Sequence, residues 1–463
     1  MNLYSFGELT PELIAEFTRI VGRENALTGE DRANYARDEA PRLNFKLPDI
    51  VLIPETVEQI SSIMRLASLH RIPVTPRGTG TGISGGSVPV CGGIALSTAR
   101  LNRILEIDTD NFTATVEAGV TLADLCSAVE QHGLYYPLYP GEKLATIGGN
   151  IATNAGGMRA VKYGVTRNFV LGLEAVLPDG EIIQTGGKFF KSSTGYDLTQ
   201  LLIGSEGTLA IITRATVKLI APPGNREVLF VPFDSLEKAI GCVPAILKSG
   251  IVPVGIEFME NDIISIVTTF TGREIPLHDY RAYLLIMVES QNQDEFLKIA
   301  GDLTEICTRN GAIDVFVPGS ESAMRNLLEI REKFYPAMQH HNMLDVADVV
   351  VPRSKIPDFV QAIKQISQQY GVQIITYGHA GDGNVHIHPI GNAISESLLK
   401  ELMLAIYRAG INLGGTISGE HGLGFDKKGY LPMVAISSNL SLMKRIKQAF
   451  DPFNILNPGK VLD

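Results

Sequence analysis

Cysteine is scarce in this sequence, with four in 463 residues. Cys91, Cys126, Cys242 and Cys307 stand far apart and form no C-x-x-C pair. That spacing excludes a sequence-local zinc site, a ferredoxin-type iron–sulfur site and a disulfide scaffold, so reduced thiols are expected. An excess of positive charge is also missing. The formal net charge is −10, which argues against nucleic acid as the main partner, because phosphate binding needs a basic surface. No apolar run approaches the ~20 residues of a membrane helix, so no transmembrane segment is expected. The opening "MNLYSFGELTPELIAEF" has no basic stretch followed by an apolar core. No secretory signal is therefore expected, and the expected compartment is the cytoplasm.

What is present is an ordinary composition, 45% hydrophobic and 19% charged, on a chain long enough for two or three domains. "TPELIAEFTRI" reads as a helix with Thr10 as N-cap and Pro11 in its first turn. "DIVLIP", "IPVTP" and "GGIALST" read as strands, with the helix "TVEQISSIMRLASLH" after the first. "TATVEAGVTLADLCSAVEQHG" continues the alternation. "FVLGLEAVLPDGEII" reads as a hairpin turning at Pro178-Asp179-Gly180, and "GTLAIITRATVKLI" as a strand pair. The two prolines and glycine of "APPGNRE" mark a domain boundary after Ala221. Beyond it, "EVLFVPF", "SLEKAIGCVPAILKSG", "RAYLLIMVES" and a helix near 294–310 predict an α+β domain with a mixed or antiparallel sheet.

Glycine is abundant, 46 residues, and clusters in "PRGTGTGISGG" and "TIGGNIATNAGG". Gly80, Gly82 and Gly85 fit the G-x-G-x-x-G fingerprint letter by letter. A dinucleotide-binding Rossmann turn must open directly into a helix. Here Gly86, Pro89, Gly92 and Gly93 follow, and no helix can start there. Successive backbone N–H groups in such a loop instead make an anion-binding nest without a helix. Two loops of this kind suggest one long ligand held along its length, a dinucleotide.

Together "PRGTGTGISGG", "GEKLATIGGNIATNAGGMRAVKYGVTRN", "GSEGTLAIIT", "GHAGDGNVHIHP", "SGEHGLG" and "FDPFNILNPGK" resemble one family, from about residue 45 to the C-terminus. It is the vanillyl-alcohol oxidase / para-cresol methylhydroxylase (PCMH) superfamily, and within it the D-2-hydroxy-acid dehydrogenases, such as bacterial D-lactate dehydrogenase and the FAD subunit of glycolate oxidase. The resemblance implies an α+β fold: a PCMH-type FAD-binding domain of two α/β subdomains, an α+β cap over the substrate, and a C-terminal segment returning to the FAD domain. The corresponding divisions are an N-terminal helical segment over 1–45, then 46–222, 223–415 and 416–463. By resemblance, Pro76, Arg77, Gly78, Thr79, Gly80, Thr81 and Gly82 wrap the FAD pyrophosphate. Gly141, Thr146, Gly148, Gly149, Asn150, Thr153 and Gly156 line a second loop, Glu206, Gly207 and Ile211 a third contact, and Asn457 neighbours the flavin. Residues 74–86 contain no His or Cys, so the FAD is expected to be noncovalent.

Only nine histidines occur, and His379, His386, His388 and His421 fall in two short segments. On a strand, His386 and His388 share a face, and the glycine turn before them can fold His379 back. Imidazoles with a carboxylate suit zinc, iron or manganese, against the plainer reading of histidines satisfied by ordinary hydrogen bonds. The resemblance names His379, His386 and Glu420 as metal ligands and leaves His388 without a role. It makes His421 the base that takes the substrate hydroxyl proton. Arg331 becomes the carboxylate clamp, where the plainer reading is a solvated helix charge, and Asn384 a contact to substrate or flavin.

D-2-hydroxyglutarate dehydrogenases carry a lysine near the place of Val346, and its absence favours a small monocarboxylate, D-lactate or glycolate. The expected reaction is FAD- and metal-dependent oxidation of that acid, by hydride transfer or through a carbanion, with electrons passed to a protein partner. An electron-transferring flavoprotein is the first expectation and an iron–sulfur subunit or quinone the second. An oxygen-using oxidase, a non-catalytic flavin relay subunit and an ether-lipid synthase are the competing readings on this fold.

Overall fold

The computed structural model describes residues 5–42, 46–277 and 279–462. Its chain divides into two compact units. The first takes the residues up to Ala155, then Val165–Pro222 and the stretch from Glu420 onward; the second takes Gly156–Gly164 and Pro223–Gly419.

Two sheets build the first unit. One has four strands in the order Ala26–Leu27, Ile50–Leu52, Ile94–Ser97 and Val74–Arg77, and its last three strands run parallel. The helix Val57–His70 makes the crossover that parallel strands require. It starts where Thr56 accepts the N–H of Gln59 and buries Ile60, Ile63, Met64 and Ala67. Leu13, Phe17 and Val21, on the Thr10-capped helix Pro11–Val21, join the same core cluster, as do Ile455 and Leu456. Each such side chain adds roughly 1.5–3 kcal/mol on burial. The other sheet is antiparallel, in the order Ile104–Asp108, Thr113–Glu117, Ile211–Lys218, Val170–Val176 and Ile182–Gly186. The Pro178–Gly180 turn closes its hairpin, with Gly180 at φ +86°.

Two expectations change in detail. "GTLAIITRATVKLI" gives one strand, Ile211–Lys218, rather than a pair, because its partners come from 113–117 and 170–176 on either side. The second glycine cluster is no open loop. Thr146 caps a helix over Ile147–Thr153, and Asn154 ends it at φ +53°. No helix follows Gly85 before Leu122–Glu130.

The second unit is one six-stranded sheet, antiparallel throughout: Asn225–Phe233, Ala282–Ser290, Gly255–Glu260, Gln373–His379, Asn384–Ile390 and Ala347–Val350. Helices including Asn261–Thr271, Glu321–Glu332 and Phe334–His340 pack on it through Ile263, Val267, Leu327, Ile330 and Phe334.

Candidate functional site

The register of the second unit's sheet gathers polar side chains from separate sequence segments. One row across the strands pairs Glu257 with His379, His379 with Asn384, and Asn384 with Val350. The next pairs Met259 with Tyr377, Tyr377 with His386, and His386 with Asp348. The rows lie two residues apart along each strand, so their side chains share one face. His388 pairs with Ile375 one row further on the same face.

Glu257, His379, His386, His388, Asp348, Asn384 and Arg331 are all buried there. Glu257 is the hub. Its Oε1 accepts Nδ1 of His379 at 2.7 Å, and its Oε2 accepts Nε of Arg331 at 2.8 Å and lies 2.6 Å from Nη2. Burial alone would raise its pKa. The charges on His379 and Arg331 and the hydrogen bonds they donate outweigh that and hold it below the ordinary carboxylate value. Asp348 is the second buried acid: its Oδ1 accepts Nδ2 of Asn384 at 2.6 Å and its Oδ2 accepts the Gly419 N–H at 2.9 Å. His386 Nδ1 lies 3.7 Å from Asp348 Oδ1.

Two imidazole nitrogens then face each other, His379 Nε2 and His386 Nε2, 3.3 Å apart. The bond to Glu257 engages Nδ1 of His379 and leaves Nε2 as the atom a metal would take once the ring is neutral, the outer-shell arrangement that orients metal-ligating histidines. Two nitrogens each about 2.0–2.1 Å from a tetrahedral zinc lie about 3.3 Å from one another, so the pair fits a shared divalent ion. His388 stacks on Tyr377, centroids 5.1 Å apart, and its Nδ1 meets Met343 Sδ at 3.1 Å. Arg331 is no solvated helix charge: its guanidinium lies 5.0 Å from the ring centroids of both Phe334 and Tyr377. The fork to Glu257 uses two of its five N–H groups.

In the first unit the glycine loops meet. A Cβ on Gly78 would lie 2.2 Å from Thr146 Oγ1, so the first loop approaches the cap of Ile147–Thr153 as closely as two chains can. That hydroxyl accepts the Gly149 N–H at 3.2 Å. Gly148 lies on Ala118, Asn150 is buried, and Thr153 Oγ1 donates to Gly149 O at 3.1 Å. Thr79 Oγ1 donates to Leu144 O at 3.0 Å, Gly82 O accepts the Glu39 N–H at 2.8 Å, and Thr81 is half-buried. Arg77 turns under its own loop toward Gly80, donating from Nη1 to Arg37 O at 3.0 Å. Pro76 abuts Gly207, which also neighbours Asn457. Asn457 Nδ2 donates to Glu206 O at 2.7 Å and Gly86 O at 3.1 Å. Ile211 begins the central strand, and Gly141 is exposed at φ +89°. Gly156 falls in the second unit.

The "GEHGLG" segment is woven into the same loops. Glu206 accepts the N–H groups of Leu423 at 2.8 Å and Gly424 at 2.7 Å, and Ser84 Oγ donates to His421 O at 3.0 Å. Burial raises the Glu206 pKa despite those bonds. Within the segment, His421 Nε2 and Glu420 Oε1 are 3.7 Å apart. A side chain at Gly78 or Gly207 would strike the facing segment, so glycine at both positions is what lets these loops lie together.

Sequence reasoning missed Glu257 and Asp348. Both had a signal: each is a lone carboxylate inside an apolar strand, "GIEFM" and "VADVVV". A buried charge without a paired partner is too costly to be incidental.

Comparison with known proteins agrees with both halves. Residues 48–186 match the family of FAD binding domains, and residues 222–461 match the C-terminal domain of FAD linked oxidases. A D-lactate dehydrogenase of Archaeoglobus fulgidus is 43% identical, covering 92% of this chain and 95% of its own. A glycolate oxidase subunit of Bacillus subtilis is 39% identical, covering 98% and 97%. The structure of p-cresol methylhydroxylase with substrate bound superposes with a TM-score of 0.79 at 17% identity, over 97% of this chain and 96% of that one. The architecture is the PCMH-type fold expected from the sequence motifs. Among the described residues no helix is long and apolar enough to cross a membrane.

Proposed function

The chain belongs to the FAD-linked oxidases, and on that premise we propose that it oxidises a small D-2-hydroxy acid, D-lactate to pyruvate before glycolate to glyoxylate. The observation that carries this reading is that one carboxylate, Glu257, ties Arg331 to His379. A 2-hydroxy acid presents a carboxylate and a hydroxyl on adjacent carbons. A guanidinium and a metal-ligating imidazole joined through one buried acid offer a fixed spacing for both. The relatives named D-lactate dehydrogenase and glycolate oxidase subunit support the substrate class.

The flavin, noncovalent here, supplies the two-electron acceptor when bound to the glycine loops. A divalent ion held by His379, His386 and Glu420 would acidify the substrate hydroxyl. The remaining N–H groups of Arg331 hold the substrate carboxylate. The His421 imidazole accepts the hydroxyl proton. Asn384, held by Asp348, is the further contact to substrate or flavin. Electrons leave to a protein acceptor, an electron-transferring flavoprotein in the first place or an iron–sulfur subunit in the second, as the subunit name of the Bacillus relative suggests.

An anaerobic visible spectrum tests this. D-lactate should bleach the flavin band and L-lactate should leave it. A flavin that no 2-hydroxy acid bleaches sinks the substrate assignment and leaves the family intact.

A further inference from the structure

The first unit buries more charge around one turn, Ser84–Val88, than it pairs. Lys427 is 1% exposed, and its ammonium has no hydrogen-bond partner among the described residues. It is anchored by its backbone, donating to Leu423 O at 2.9 Å, on the segment whose Phe425 and Asp426 N–H groups reach Ser84 O at 3.0 and 3.2 Å. Carboxylates answer its charge only through space, from Glu206 and Asp426, and Glu206 already spends both oxygens on backbone N–H groups. Lys460, also buried and also acting on Glu206, donates to Val88 O. Ser87 Oγ, Asn457 Oδ1 and Arg77 Nε are also buried without a partner. An ammonium taken out of water with its donors unmet costs several kcal/mol, and a fold keeps such a group where a ligand completes it.

We infer that Lys427 is a positioning cation for the anionic cofactor of this unit, and that the flavin dinucleotide supplies the negative charge its ammonium lacks. Two parts of the cofactor carry such charge, the pyrophosphate and the reduced ring. The inference rests on the family's flavin and is independent of the substrate proposed above. Its chemistry is that of a buried charge completed on binding. Without cofactor the ammonium destabilises the fold; with cofactor it contributes affinity or redox tuning.

The test uses the full chain, stripped of flavin and reconstituted, as wild type, Lys427→Met and Lys427→Arg. Methionine matches the length without charge or hydrogen-bond demand. Flavin-free Lys427→Met should melt at or above the flavin-free wild type, and FAD should raise its Tm less where the pyrophosphate is the partner. If the pyrophosphate is the partner, Lys427→Met binds FAD and ADP about tenfold more weakly, the loss of one charge-assisted hydrogen bond. If the reduced ring is the partner, FAD affinity holds, while the flavin potential falls and the sulfite adduct weakens about tenfold. Lys427→Arg should stay close to wild type in either case. A flavin-free Lys427→Met that melts far below wild type or fails to fold overturns the inference and makes Lys427 a structural partner of Glu206. So do FAD, ADP and sulfite affinities all within about twofold of wild type.

Discussion

Arg331 and Glu257 meet with two guanidinium nitrogens on one carboxylate oxygen, at 2.8 and 2.6 Å, while the other oxygen holds His379 at 2.7 Å. The side chain of Glu257 is wholly buried and that of Arg331 is 10% exposed. One acid therefore orients both a cation and an imidazole. Replacing it by Gln removes the charge that compensates Arg331, and breaking a buried pair in this way costs about 3–5 kcal/mol. It also loosens the His379 tautomer, which should lower metal affinity about 10–100-fold. Urea unfolding and metal content after dialysis check the two effects separately. A Glu257→Gln protein with full metal content would remove Glu257 from the site.

Gly78 faces Thr146 too closely for a side chain. Gly78→Ala should push Thr146 off the Gly149 N–H, with the roughly 0.5–2 kcal/mol that an N-cap contributes. Flavin content of the purified protein should fall more steeply than its melting temperature. Equal flavin occupancy in wild type and variant would mean that this approach does not shape the cofactor site.

Glu289 holds the segment Gly156–Gly164 to its unit, through Lys162 at 2.8 Å, the Tyr163 hydroxyl at 2.5 Å, and Arg226 at 2.7 Å. Burial raises its pKa, but the bonds from Lys162, Tyr163 and Arg226 outweigh it and leave the group below the ordinary carboxylate value. A carboxylate depressed in the folded state binds fewer protons there than when unfolded. Its stabilisation is complete above the unfolded value of about 4.3 and disappears as the pH falls through the folded one. Limited proteolysis between residues 156 and 164 should therefore accelerate in acid. Glu289→Gln should show that acceleration already at pH 7.

Lys460 has the same sign in an alkaline window. Burial pushes its ammonium down to about 8, beside Cys91, Asp38, Lys428 and Glu206. Below that pH both states are protonated and the group adds no slope. Between about 8 and 10.4 only the unfolded chain holds the proton, so stability rises with pH by up to about 1.4 kcal/mol per unit. The stability difference between wild type and Lys460→Met should shift in favour of wild type over that window, read from urea midpoints at successive pH values. A difference that stays flat would place the ammonium in contact with solvent.

The elements legible in the sequence were those with local causes. The helices Pro11–Val21 and Val57–His70 carry their caps and apolar spacing in adjacent residues, and the Pro178–Gly180 turn carries its glycine. His379 and His386 were legible because one short glycine turn joins their strands. Glu257 and Asp348 were hidden because their partners come from register: Glu257 meets a residue 122 positions away, and Asp348 one 36 away. The helix Ile147–Thr153 was hidden for another reason. Its glycines oppose helix by propensity and are retained because Gly148 must lie against Ala118.

The first unit closes on its own late residues. Val74 donates to Ile455 O at 2.8 Å and accepts from the Asn457 N–H at 2.7 Å, and Ile455 and Leu456 fill the core beside it. A nascent chain that has emerged only to Pro222 thus has the first unit's strands, with an exposed sheet edge and a hole in its core. It must wait while more than two hundred further residues are synthesised, and the second unit has every residue it needs before the first does. Order of completion therefore runs against order of synthesis, so a ribosome stalled before residue 455 should display the first unit as a protease-sensitive intermediate and the second as a finished body.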